Sequence, residues 1–125
     1  MVRYTQIISK ASAWTLLITI VILSLVPAQD RPVTGLPHLV EHFSIFFATG
    51  LAFGVGYPQR RLFQFVALLA FTVAIELAQI FVPGRHARVS DFLIDASGVT
   101  VGLLIGFLAS RQLTQTTIRA ASTKR

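Results

Sequence analysis

The 125-residue sequence has no cysteine, one tryptophan, one methionine and only five acidic residues. Without thiols, disulfides and thiolate-held metals are excluded. Charge of either sign is scarce. Asp, Glu, Lys and Arg make up 13% of the chain and hydrophobic residues 54%, whereas soluble domains are roughly 25% charged. That deficit excludes an ordinary soluble fold and points to a membrane protein, and the length leaves room for one domain. The formal charge of +6 would suit a nucleic-acid binder if it lay along one stripe. Here the basic residues flank apolar runs, so they read as topology signals and nucleic acid is not an expected partner.

What the chain does have is four apolar runs, at about residues 11–27, 37–56, 62–82 and 91–109. Each approaches the ~20 residues that cross a hydrocarbon layer. Arg3 and Lys10 before the first run, with Val26-Pro27-Ala28 after it, resemble a signal peptide with a poor cleavage site. The run reaches the upper limit of a ~7–15-residue signal core and three more follow, so it reads as a retained span. Pro37 suits a first helical position, Pro83-Gly84 is a strong breaker, and Ser90 or Asp91 can cap the fourth helix. The expected fold is all-α, a compact transmembrane bundle of four helices over residues 1–110. A basic tail, 111–125, follows, expected to be mobile and weakly attracted to anionic lipid.

Orientation follows from Lys and Arg. Arg3, Lys10, Arg60, Arg61, Arg111, Arg119, Lys124 and Arg125 fall at one set of ends, and only Arg31, Arg85 and Arg88 at the other. This excess places both termini in the cytoplasm. All five carboxylates (Asp30, Glu41, Glu76, Asp91, Asp95) and all three histidines (His38, His42, His86) then fall on the opposite, outward side. A carboxylate inside a span costs about 2.5–3.5 kcal/mol on insertion scales and marks a functional site by default. Glu76 and Asp95 are of this kind.

Helical spacing sorts these residues onto faces. Asp91, Asp95, Gly98, Gly102 and Gly106 follow at intervals of four, three, four and four and share one face. The glycines form a ridge for close helix approach. Ala48, Ala52 and Gly56 offer a mating surface on the second span, with Gly50 and Gly54 beside it. Thr72, Glu76, Gln79 and Pro83 line one face of the third span, with Glu76 roughly 9 Å below its end at ~1.5 Å per residue. Bundling by these faces gathers His42, Glu76, Gln79, Asp91 and Asp95 near one point, beneath a loop carrying Arg85, His86 and Arg88.

Glu76-Leu-Ala-Gln79-Ile-Phe81-Val-Pro83-Gly-Arg85, followed by Ser90-Asp91 and Asp95-Ala-Ser-Gly98, closely resembles the signature of the VanZ-like family of small bacterial membrane proteins. That signature runs Glu-x-x-Gln, an aromatic, Pro-x-Arg, a Ser/Thr-x-x-Asp-like spacing and Asp-x-x-x-Asn-x-x-Gly. His42-Phe43 matches the family's His-Phe, and Leu25-Val26-Pro27 resembles the end of its first span. The likeness covers most of Leu23 to Gly106. Two positions depart: Asp95 stands where the family commonly has Asn, and His38-Leu39 stands where an Asp-Lys pair often precedes the histidine. The resemblance implies a multi-pass protein of the bacterial plasma membrane. The family takes its name from a member linked to resistance to the lipoglycopeptide teicoplanin.

His38-Leu-Val-Glu41-His42 also matches the H-x-x-E-H pattern of inverted zinc peptidases. That chemistry needs a third ligand and a general base. Glu76, Asp91 or Asp95 could be the ligand, but the large soluble domain that carries the motif is missing, so a structural or proton-titrating His42 is the simpler reading. Arg85 and Arg88 can grip a phosphate or neutralise Asp91 or Asp95. A protonated Glu76 donating to Gln79 or Asp95 would be a latch between helices, and Asp91 has enough explanation as a cap. The favoured reading is a binder of a membrane lipid or lipid-linked envelope precursor, with no cofactor required. His42, Glu76, Gln79, Arg85, Arg88, Asp91 and Asp95 would be its ligand-binding residues. No residue is assigned a catalytic role. One rival is an intramembrane metal-assisted hydrolase or phosphoryl-transfer enzyme using His42, Glu76, Asp91 and Asp95, with His38, His42, Glu76 and Asp91 as its metal set. The other is an accessory subunit that works in a homo-oligomer or with a membrane partner.

Overall fold

The computed structural model describes residues 2–30 and 35–122. Of the basic residues that set the orientation, Arg31, Lys124 and Arg125 lie outside them. Four α-helices account for most of the chain: α1 Val2–Leu25, α2 His38–Gly56, α3 Arg61–Gln79 and α4 Val89–Ser122. A 3-10 turn spans Ala28–Asp30 after α1. There is no strand among the described residues, and all four helices are long and apolar enough to cross a membrane. The fold is an all-α bundle of four such helices.

Several ends differ from the sequence expectation, each for a local reason. Pro37 is the N-cap of α2 and not its first helical residue, with φ −56° and ψ 136°. Its carbonyl accepts from the amides of Val40 and Glu41. The third helix closes at Gln79, three residues short of Val82, because a proline at 83 disfavours helical geometry at the residue before it. Tight turns finish it, with Ile80 N–H donating to Leu77 O and Val82 N–H to Gln79 O. Glu76 therefore lies about 4.5 Å below its helix end at ~1.5 Å per residue, half the expected depth. Gly84 follows with φ +75°, a left-handed conformation that glycine adopts without strain. At the far end α4 continues as helix to Ser122, so residues 111–122, read from the sequence as a basic tail, are helical.

The packing is dominated by α2 against α4, with α1 set mainly on α2 and α3 mainly on α4. The central pair runs parallel. A methyl added at Gly98 would stand 2.7 Å from Phe43 O, and one at Gly54 2.8 Å from Leu103 O. At Gly102 it would overlap Phe47 O, and at Gly50 Val99 O. The ridge of α4 is thus flush against backbone along most of α2, as small-residue membrane interfaces require. The mating surface on α2 is Phe43, Phe47, Gly50, Leu51 and Gly54, and not the Ala48–Ala52–Gly56 row. Gly56 faces Lys10 of α1 instead. The rows differ by only about 100° of helix rotation per residue, so neighbouring small residues left the choice open.

Phe46, Phe53, Val99 and Leu103 fill the centre with Ala13, Ile20, Leu68 and Ile75 from the flanking helices. Apolar side chains such as Ile7, Ile18, Phe63, Val66 and Leu104 stay outward, as suits lipid contact. At the end away from the carboxylates, Trp14 Nε1 donates to Tyr57 Oη at 3.0 Å. Lys10 sits 4.9 Å from the Tyr57 ring centre and Arg61 5.3 Å from that of Phe107. Such belts of amphipathic side chains occupy membrane interfaces.

Candidate functional site

Because α2 and α4 run parallel from the same end, their first turns lie side by side. His42, on the second turn of α2, meets Asp95 of α4 with Nδ1 and Oδ1 2.9 Å apart. Both are buried, Asp95 completely. Glu76 and Gln79 enter from the last turn of α3 and are also buried. Among the described residues the single donor to Glu76 is a backbone amide, Arg88 N–H to Oε2 at 3.3 Å. Glu76 Oε1, Asp95 Oδ2 and Gln79 Nε2 are buried without a partner. Ligand-type atoms of His42, Glu76 and Asp95 all lie within 4.8 Å of one another. The convergence of these residues is the arrangement expected from spacing.

Other expected members of the site take different places. Asp91 is buried on the first turn of α4, but inside the helix, which begins at Val89. The cap position is Arg88, whose carbonyl accepts from the amides of Asp91 and Phe92. Asp91 accepts from Ser90 Oγ at 3.1 Å, and a carboxylate on a first helical turn still suits the helix dipole. His38 is exposed, its ring 4.3 Å from that of His42. The converging carboxylates are those of Glu76 and Asp95, so a metal set of His38, His42, Glu76 and Asp91 is not the cluster that forms.

The two arginines separate. Arg85 reaches α1, its Nη2 donating to Leu23 O at 2.7 Å and Val26 O at 3.1 Å. These carbonyls close α1 and have no helical amide to accept from, so Arg85 seals a helix end. Of the two roles the sequence leaves open for Arg85, neutralising Asp91 or Asp95 is not seen, since neither meets it among the described residues. Arg88 is exposed, and among the described residues only its backbone is engaged.

Two cavities open at this end and share Arg85 in their walls. One, of about 390 Å³, lies between α1 and α2 and is mostly apolar, lined by Ile20, Leu23, Leu36, Ile45 and Phe46 with His42 and Glu41. The other, of about 500 Å³, is the more polar of the two, lined by His38, Gln79, His86, Arg88, Ser90 and Asp91 with Ala28 and Leu39. Sequence reasoning foresaw the polar one. The apolar one escaped it, because Leu23, Ile45 and Phe46 look like any lipid-facing or core residue. The only pointer was an arginine that needed an acceptor near the end of the first span.

A family model described as VanZ/LLP1 matches residues 3–110, most of the chain. No curated protein and no solved structure matches it.

Proposed function

The chain belongs to the VanZ/LLP1 family, and from that premise we propose that it is a bacterial plasma-membrane protein that binds an envelope lipid or lipid-linked head group. The observation that carries this reading is the pair of cavities meeting at Arg85, one apolar and one polar. An amphipathic ligand has the same two halves. An acyl or prenyl chain would lie between α1 and α2 against Ile20, Ile45 and Phe46. Its anionic head group would lie across the polar cavity, where the Arg88 guanidinium is available and planar N–H donors match phosphate oxygens. Gln79 lines that cavity, and Glu76 and Asp95, buried in the bundle, would complete the polar floor.

The Lys and Arg distribution supports placing both termini in the cytoplasm, so the ligand would come from the outer leaflet. There, holding a lipid-linked precursor would alter how much of it a glycopeptide such as teicoplanin meets, which is the route by which this protein would influence susceptibility.

Native mass spectrometry of the protein released from mild detergent tests the reading. The expected result is a bound lipid that survives washing. Ser44→Trp, on an exposed position lining the apolar cavity, should fold and lose it, and Arg88→Ala should retain less. A protein that carries no lipid, or one equally loaded in both variants, would overturn the proposal.

A further inference from the structure

We propose that His42, Glu76 and Asp95 form a binding site for one divalent transition-metal cation of the zinc or manganese class. The donor set is one imidazole nitrogen and two carboxylates. Imidazole favours zinc and its neighbours, while carboxylates also suit manganese.

The first argument is charge. Glu76 and Asp95 are 95% and 100% buried, from their relative exposures of 5% and 0%. Among the described residues neither carboxylate meets a lysine or arginine side chain. Asp95 has His42, and Glu76 has one backbone amide. Buried charges are held by pairing or by a metal, and a dication balances two carboxylates.

The second argument is the set of atoms left over. Glu76 Oε1 and Asp95 Oδ2 are buried with no donor, whereas buried polar groups in folded proteins are usually paired. Gln79 Nε2, one helical turn beyond Glu76, is likewise buried and unpartnered. It is a donor suited to a water or anion on the ion.

The third argument is distance. Two ligands at about 2.0–2.2 Å from a tetrahedral ion stand about 3.3–3.6 Å apart. The three atoms here lie within 4.8 Å of one another, so side-chain rotations that move them by about an ångström close the set. The His42–Asp95 separation of 2.9 Å fits adjacent ligands once the proton between them has left, and metal binding releases such protons. An ion has a way in, because His42 lines the apolar cavity and Gln79 the polar one.

The test uses the full chain in detergent without added lipid, so its failure leaves the lipid reading standing. The protein is stripped with chelator, equilibrated with zinc or manganese, desalted and assayed for bound metal. His38→Ala/His86→Ala is made in parallel, removing the exposed imidazoles that bind zinc adventitiously. We expect about one ion per chain in both proteins, and at least about tenfold weaker binding in Glu76→Gln and Asp95→Asn, the scale seen for perturbed metal sites. The ion should also raise the unfolding temperature of the parent but not of those variants. No retained ion in the parent, or retention unchanged by Glu76→Gln and Asp95→Asn, would overturn the site. So would loss of the ion in the His38→Ala/His86→Ala protein.

Discussion

Gly102 of α4 lies flush against the carbonyl of Phe47 in α2, with no room for a methyl group between them. This contact sits midway down the parallel pair that holds His42 opposite Asp95. The site and the ridge are therefore one mechanical unit. Gly102→Ala should destabilise the bundle, and Gly102→Leu more so, by about 1–3 kcal/mol as overpacked cores do. Gly56→Ala should cost less, because the nearest atom to its added methyl belongs to the Lys10 side chain. Thermal unfolding in detergent checks the order. Equal stability of Gly102→Leu and the parent would mean that α2 and α4 do not pack this way.

The arginines should respond in opposite ways. Arg85 closes the end of α1 through two carbonyls, and hydrogen bonds from charged groups contribute about 1.5–3 kcal/mol. Arg85→Lys should lower stability measurably, since an ammonium lacks the fork that spans both acceptors. Arg88→Ala, on an exposed side chain, should leave the unfolding temperature within error of the parent and reduce lipid retention. Stability lost at Arg88 but not at Arg85 would reverse these roles.

Glu76→Gln keeps the shape of the side chain and an oxygen for the Arg88 amide, while removing the charge. The variant should fold with near-parental stability and fail in ligand retention or any susceptibility phenotype. Should it work as well as the parent, Glu76 is a latch between helices and its charge is irrelevant.

Asp95→Asn can still pair with His42 and should fold. Asp95→Leu leaves the buried imidazole without its partner, which typically costs about 1–3 kcal/mol. Comparing the two by thermal unfolding separates the hydrogen bond from the carboxylate. An Asp95→Leu protein as stable as Asp95→Asn would show that the His42 contact contributes nothing to the fold.

The absence of cysteine makes topology direct to test. Gln59 lies in the turn between α2 and α3, and Ala87 in the loop before α4; both are exposed. With cysteine placed singly at each, an impermeant thiol reagent applied to intact cells should label position 87 and not 59. Labelling at 59 alone would invert the protein in the membrane.

Much of this architecture was legible in the sequence because polar residues inside apolar helices have few places to go. Glu76, Gln79 and Asp95 had to face inward, and their spacing put them at one level. Helix ends were harder. Hydropathy measures what lipid tolerates and not where the amide ladder stops, so it carries Val82 into a helix that closes at Gln79 and leaves Val2 out of one that begins there. Small residues were also ambiguous. Ala48, Gly50, Ala52, Gly54 and Gly56 are all compatible with close approach, and only the carbonyls of α4 reveal which are pressed upon. The contacts of Arg85 are hidden from the sequence for a different reason. Its acceptors are backbone oxygens of Leu23 and Val26, which every residue type carries.

The main interface also sets an order of events in the life of the chain. His42 and Asp95 are 53 residues apart, and the helix between them contributes little to holding α2. During synthesis α2 emerges long before the surface that covers its glycines. Until the fourth helix arrives, Gly50 and Gly54 have only lipid to face. Contacts so distant along the chain form late. The polar site would thus be completed at the end of biogenesis, and until then the glycine face of α2 would lack its cover.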